Sequence, residues 1–306
     1  MTGERKPRYK RVSGGTLRLT DRDVEIVRAV ARHRLLASTH IESLVGGSAQ
    51  QLRRRLQALF HARYLDRPPI QKSDVYTPGS SPMVYALGNK GADLLAERDG
   101  LLRGAINWSA KNKGLGERFM HHTLLVSSVM AAFEGRARAH GGVRVVHFEE
   151  ILAEKCPPPT RKLAKPKTWQ VTLPGIGKTG ITPDAIFGLE FANRPEGKNT
   201  AYFFLEADRA TMPVVRSNLA QTSIVKKLKL YHTTYVSRQH TAHFGFRHFR
   251  VLFVTTDTER VPTMVAAARG LPGLQGLFLF ADTSVLERDV LGEQWLNGRG
   301  EMVGVG

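Results

Sequence analysis

The sequence predicts a mixed α+β/α/β chain in two parts, a helical N-terminal quarter with a short hairpin and a larger alternating body. Three observations carry this. Apolar residues recur at helical spacing through much of residues 20–62. From residue 117 onward helical and strand-like runs follow in the order α-β-β-β-α-β, with a further α-β added. Between the two lies GLLRGAINWSAKNKGLG, polar and punctuated by glycine, which marks a boundary. The expected divisions are a basic tail (1–16), a helical unit with a hairpin (17–100), a linker (101–116), an α/β domain (117–290) and a flexible, glycine-rich tail (291–306). At 306 residues and 42% apolar content, the chain can bury two ordinary cores.

The elements of the first part read as follows. Thr20 is a helix N-cap with Asp23 three residues on, and Val24, Val27, Val30 and Ala31 share a face, giving a helix to about Arg34. STHIESLVG is a short second helix, capped at Ser38 and stopped by Gly46 and Gly47. SAQQLRRRLQALFHARYLD opens with Ser48 and Gln51 at capping-box spacing, and Leu52, Leu56 and Leu59 line one face. Opposite them lie Gln50, Arg54, Gln57 and His61, with Arg53 and Arg55 on the shoulders. YLDRPP and PMVYALG are two short strands around a polar loop, and NKGADLLAERDG is a closing helix.

That succession has winged helix-turn-helix order. Its third helix would present amides and guanidiniums to a DNA groove, so Gln50, Arg53, Arg54, Arg55 and Gln57 are the expected DNA-binding residues. Charge agrees. The chain carries 45 Lys/Arg against 27 Asp/Glu, a net of +18. Residues 1–75 hold 16 basic and 7 acidic side chains, so half of the excess sits in a quarter of the chain. Such a balance favours a polyanionic partner, and double-stranded DNA is the expected one.

Other classes are disfavoured. No apolar run approaches the roughly 18 residues of a membrane span, and the basic start lacks the apolar region of a secretory signal. Cys156 is the sole cysteine, which excludes an internal disulfide or a cysteine-based zinc site. The expected location is the cytoplasm, without membrane association, and a homodimer is among the assembly states left open.

In the second part, Glu117–His140 reads as a long helix with Phe119, Leu124, Leu125, Val129 and Phe133 available for burial. VRVVHFEEIL is a strand, CPPPTRKLAKPK a loop, GITPDAIFGLEF a second strand and TAYFFLEADR a third. RSNLAQTSIVKKLKLYHTTYVS is a lysine-rich helix, FRVLFVTTD a fourth strand, ERVPTMVAAARG a helix and LQGLFLFAD a last strand. The third strand runs from a buried-type stretch straight into Glu206, Asp208 and Arg209. Strand ends are where carboxylates meet a metal or substrate. They are also where a strand merely reaches solvent.

The order α-β-β-β-α-β, with Pro183-Asp184 on the second strand and Glu206 on the third, resembles the PD-(D/E)xK nuclease superfamily, whose fold is restriction-endonuclease-like. The resemblance covers residues 117 to about 257. It implies a pair of carboxylates, Asp184 and Glu206, that hold Mg²⁺ to activate water and neutralise phosphate charge. Asp208 shares a strand face with Glu206 and would join them as a metal ligand. The pattern is broken at that position, where the superfamily has lysine. The positive charge would come from the following helix, with Lys227 the first choice among Lys226, Lys227 and Lys229. Asp184, Glu206 and Lys227 are thus the candidate catalytic residues, with Mg²⁺ the cofactor if the site works. The competing reading is a degenerate site held by salt bridges, in a non-catalytic regulator or replication-initiation factor.

Over most of its length the chain is also similar to the replication-relaxation proteins of plasmids and other mobile elements. LTDRDVEIVRAVARHRLL, HHTLL, TPDA, FFLEADRAT and KKLKLY carry that resemblance. It implies a role in plasmid replication or DNA relaxation. Three weaker signals remain. Tyr231 and Tyr235 sit one helical turn apart, as in tyrosine nicking enzymes, but no His-hydrophobe-His strand accompanies them. PGIGKTG mimics part of a phosphate-binding loop, with Thr172 where its first glycine should be and a strand where its helix should be. His121 and His122, one turn after Glu117, read as packed histidines or as the border of the carboxylate site.

Overall fold

The structure is a computed structural model, and it describes residues 9–12, 17–71, 82–101, 114, 116–215, 221 and 223–306. The chain divides into two units, Met1–Ala131 and Ala132–Gly306. Most of the expected tail (1–16) and linker (101–116), and the loop of the expected wing (72–81), lie outside the described residues.

In the first unit, helix α1 (Asp21–His33) begins at the expected cap. The backbone amide of Thr20 donates to Asp23 Oδ2 at 2.6 Å, while the Thr20 hydroxyl oxygen accepts from the Asp23 amide. Strand β1 (Leu35–Ala37) leads to α2 (Ser38–Val45), which ends at Gly46 with φ of +67°. Helix α3 (Ala49–His61) follows. Ser48 sits before it, but its side chain makes no capping hydrogen bond, so the expected box with Gln51 does not form. Strands β2 (Leu65–Asp66) and β3 (Val84–Leu87) complete an antiparallel sheet of order β1-β3-β2, and α4 (Asn89–Asp99) comes next.

Strand β3 is buried at all four positions because both its faces are covered. Tyr85 and Leu87 join Val27, Val30, Leu52, Leu56 and Leu59 in the main core. Val84 and Ala86 point the other way, towards Leu35 and Met120. Strand β1, absent from the sequence reading, is too short for a period-2 signal.

Helix α5 (Glu117–His140) has the expected extent and crosses the division between the units. Phe119 remains 40% exposed, under the Arg34 guanidinium at 4.4 Å, whereas Leu125, Val129 and Phe133 are buried. In the second unit β4 (Val143–His147) ends where α6 (Phe148–Glu154) begins, so the predicted strand over VRVVHFEEIL is half helix. A short helix α7 (Pro158–Arg161) and an antiparallel hairpin, β5 (Trp169–Leu173) with β6 (Gly177–Ile181), follow. The predicted second strand is therefore split. Gly177–Ile181 pairs in the hairpin, and β7 (Ala185–Phe191) starts anew after Pro183-Asp184.

Strand β8 (Thr200–Asp208), α8 (Ile224–Val236), α9 (Gln239–Phe244), β9 (Arg250–Thr255), α10 (Arg260–Arg269) and β10 (Phe278–Asp282) come next. Helix α8 begins at Ile224 with the Ser223 hydroxyl as its cap, and residues 216–220 of the expected helix lie outside the described residues. The central sheet has seven strands in the order β12-β11-β10-β9-β8-β7-β4. β4, β7 and β8 form an antiparallel meander, and β9 and β10 then add in parallel.

The last two strands are β11 (Trp295–Asn297) and β12 (Met302–Val303), which corrects the flexible tail expected over 291–306. Trp295 is fully buried, lies 6.1 Å from Phe133 and donates from its indole to the Val290 carbonyl. Burying so large a ring anchors the segment, and glycine content alone gave no hint of it. Phe187 and Phe203 stack on that same sheet face, while Phe204 meets Trp169 and Tyr231 on the other.

Candidate functional site

Alternation along β8 places Phe204, Glu206 and Asp208 on one face, and that face is roofed by helices instead of water. Glu206 is 1% exposed and Asp208 5%. Burying two carboxylates is costly unless each oxygen is met by a donor. Both are met. Lys227 Nζ donates to Glu206 Oε2, and the Tyr231 hydroxyl donates to Oε1 at 2.5 Å. Lys227 and Tyr231 stand four apart on α8, so a single helix face delivers the ammonium and the phenol together.

One pleat on, Asp208 accepts from Arg260 Nε at 2.9 Å and from Thr255 Oγ1 at 3.0 Å. Thr255 is its partner across the parallel β8–β9 ladder, and Arg260 opens α10 and also reaches the Met212 carbonyl. Asp184 precedes β7. Its amide donates to the Leu205 carbonyl at 3.0 Å, and its Oδ2 accepts from the Ala207 amide at 2.8 Å, bracketing Glu206 in the chain.

Electrostatics tie the group together. Burial pushes the Glu206 carboxyl above its ordinary pKa, the charge of Lys227 opposes this, and Asp184 adds to the rise. Burial alone would lower Lys227, but Glu206 first, then Asp184 and Asp208, hold it above its ordinary value. Both Glu206 oxygens accept hydrogen bonds, so within this geometry Glu206 is the anion and Lys227 the cation. Burial, with Glu206 beside it, raises the Tyr231 phenol well above its usual value.

The expected site residues are thus brought together, and Lys227 is the lysine that reaches Glu206. Both Glu206 oxygens and Asp208 Oδ2 are nevertheless committed. A divalent cation at Glu206 would have to displace an ammonium or a phenol, and at Asp208 Oδ2 a guanidinium. Among the described residues no group of three His, Cys, Asp or Glu is placed to hold a metal ion. In this arrangement Glu206 has no oxygen free for Mg²⁺. Three partners escaped the sequence reading. Tyr231 was legible from its spacing to Lys227. Thr255 and Arg260 were not, since strand pairing and a distant helix start bring them in.

On α3, Gln50, Arg53 and Arg54 are exposed, Gln57 is half-buried, and Arg55 is turned to the protein. Arg55 Nε donates to Asp23 Oδ1 at 2.6 Å and its Nη2 to Asp23 Oδ2 at 2.5 Å, while Asp23 is fully buried. Hydrogen bonds from Arg55 and Thr20 outweigh the opposing effect of burial and hold the Asp23 carboxyl below its ordinary value. Tyr231 is too buried to act as an exposed nucleophile, whereas Tyr235 shares a 2.8 Å hydrogen bond with His248 Nδ1. PGIGKTG spans the β5–β6 turn and most of β6, with Gly175 and Gly177 at positive φ. His121 and His122 are half-buried on α5.

Fold and site together define a mixed α/β protein with a mostly antiparallel central sheet and a buried, lysine-paired carboxylate group. Residues 27–248 match the replication-relaxation family, and the chain belongs to that family. No curated protein and no solved structure matches it. Among the described residues no helix is long and apolar enough to cross a membrane.

Proposed function

We propose that the chain is a DNA-binding protein acting in the replication of plasmids or other mobile elements. Its helical unit binds duplex DNA, and its sheet unit carries a nuclease-like carboxylate group that does not cleave. The observation that carries the second half is the commitment of both Glu206 oxygens to Lys227 and Tyr231 at 1% exposure. A carboxylate that serves a catalytic metal needs a free oxygen and a path for the ion. Asp208 Oδ2 is likewise taken, by Arg260 and Thr255.

Family membership supports the replication role. The DNA-binding half is supported by three helices and an antiparallel three-stranded sheet in winged-helix order, together with the net +9 of residues 1–75. Gln50, Arg53 and Arg54 are its contacts, with Gln57 at the edge; Arg55 positions the helix. The nuclease-like description rests on the β4-β7-β8 meander with parallel β9, the topology expected of a PD-(D/E)xK core.

One observation favours a second reading, a Mg²⁺-dependent nuclease or nickase using Asp184, Glu206, Asp208 and Lys227. The charges of all three carboxylates act on Lys227, so the right residue types converge. Incubation with supercoiled plasmid, with and without Mg²⁺ or Mn²⁺, separates the two. Expected are retarded plasmid without nicking and an identical pattern for Asp184→Asn. Cation-dependent nicking lost in Asp184→Asn, with binding kept, would replace the non-catalytic reading by the nuclease. Loss of binding to any duplex at low salt would remove the DNA-binding half.

A further inference from the structure

A second polar site lies at the other end of the same sheet. Strands β8 and β9 run parallel, with Phe203 opposite Arg250 and Asp208 opposite Thr255. Five residues at about 3.3 Å each place Arg250 roughly 17 Å from the carboxylate end. There a cavity of about 510 Å³ opens, lined by Arg194, Arg250, Tyr235 and His248 on its polar side. Tyr202, Leu274 and Leu277 supply an apolar wall.

The polar side is built around positive charge. The Arg194 guanidinium lies over the Phe191 ring at 3.9 Å, and Arg250 Nη1 donates to the Gly304 carbonyl at 3.1 Å. Burial, and then the nearby Arg194 charge, hold Arg250 below its ordinary pKa. Two arginines thus line one cavity while, among the described residues, neither forms an ion pair with a carboxylate side chain. Beside them the Tyr235 hydroxyl and His248 Nδ1 share a 2.8 Å hydrogen bond, and the Tyr235 ring is stacked on His240 at 5.2 Å. Like charges held together without a counter-charge are unfavourable in the empty protein and become favourable when an anion joins them. Paired guanidiniums suit phosphate oxygens, which they bind through parallel N–H···O contacts. The volume lies within the usual range of small-ligand pockets, about 300–1,000 Å³.

We propose that this cavity binds a nucleoside monophosphate, its phosphate held between Arg194 and Arg250 and its base and sugar against Tyr202, Leu274 and Leu277. Tyr235 and His248 add neutral hydrogen-bonding groups at the phosphate's edge. The site is independent of whether the helical unit binds DNA and of whether the carboxylate group cleaves it.

Calorimetric titration of the full chain with dAMP and with inorganic phosphate tests this. Saturable binding of dAMP, at least tenfold tighter than phosphate, is expected. Arg194→Gln, on an exposed side chain, should weaken it about tenfold or more, and Arg250→Gln likewise. Lys178→Gln, an exposed cation on the β5–β6 hairpin, should leave it unchanged. Because Arg250 also tethers Gly304, Arg194→Gln decides the matter should Arg250→Gln fail to fold. No saturable binding, equal affinity for dAMP and phosphate, or equal weakening by Lys178→Gln would overturn the proposal. So would tighter binding of a 5′-phosphorylated oligonucleotide than of dAMP, since that would make the cavity part of a DNA-binding surface.

Discussion

Lys227→Met is the sharpest test of how the carboxylate group is held. The side chain of Lys227 is 22% exposed and that of Glu206 2%, so the substitution removes a cation in contact with a buried anion. Breaking such a pair from one side costs about 3–5 kcal/mol, because the remaining charge is left uncompensated. Tyr231 still donates to Oε1 and keeps part of the solvation in place. Glu206 then answers by taking up a proton. Its folded pKa, already raised by burial, rises further above the unfolded value of about 4.3. A group whose folded pKa is raised contributes stability below its unfolded value and loses it as pH climbs through the folded one. The penalty of Lys227→Met should therefore be smaller at pH 5 than at pH 8. Adding Glu206→Gln should recover about 2 kcal/mol or more at pH 8, since a neutral amide still accepts from Tyr231. Urea unfolding of the full chain, followed by tryptophan fluorescence, reads all of this; Trp169 lies 6.2 Å from the Tyr231 ring. A loss below about 1 kcal/mol at pH 8, or an equal loss at both pH values, would refute a structural ion pair. Cleavage assays on any Lys227 variant also need this stability measurement beside them, or unfolding will pass for lost chemistry.

Replacing Arg53 and Arg54 with alanine should flatten the log–log salt dependence of DNA binding by about 0.9 for each phosphate that is no longer neutralised, with the melting temperature unchanged. Arg55→Ala should do the reverse, lowering stability by about 1–3 kcal/mol because buried Asp23 loses its partner, which calorimetric melting would register. Trp295→Ala should cost about 3–5 kcal/mol in the same assay, whereas a frayed tail would lose nothing.

Much of the N-terminal unit was legible because its signals are local. The Thr20–Asp23 cap, the glycines after α2 and the leucine stripe of α3 each lie within a few residues and obey the helical period. The same locality misled where partners were distant. Arg55 is indistinguishable in sequence from Arg53 and Arg54, yet it faces Asp23, 32 residues away. The three charges at the end of YFFLEADR show the same limit. Sequence alone determined that Glu206 and Asp208 share a strand face, and periodicity placed Lys227 and Tyr231 together on one helix. Only the tertiary structure decided that the helix lies over that face, that Arg260 and Thr255 close on Asp208, and that Trp295 pins a glycine-rich end into the sheet. Periodicity states which side of an element a residue occupies. What that side meets is set by packing across the whole unit, where a buried charge is tolerated only if a donor arrives from elsewhere in the chain.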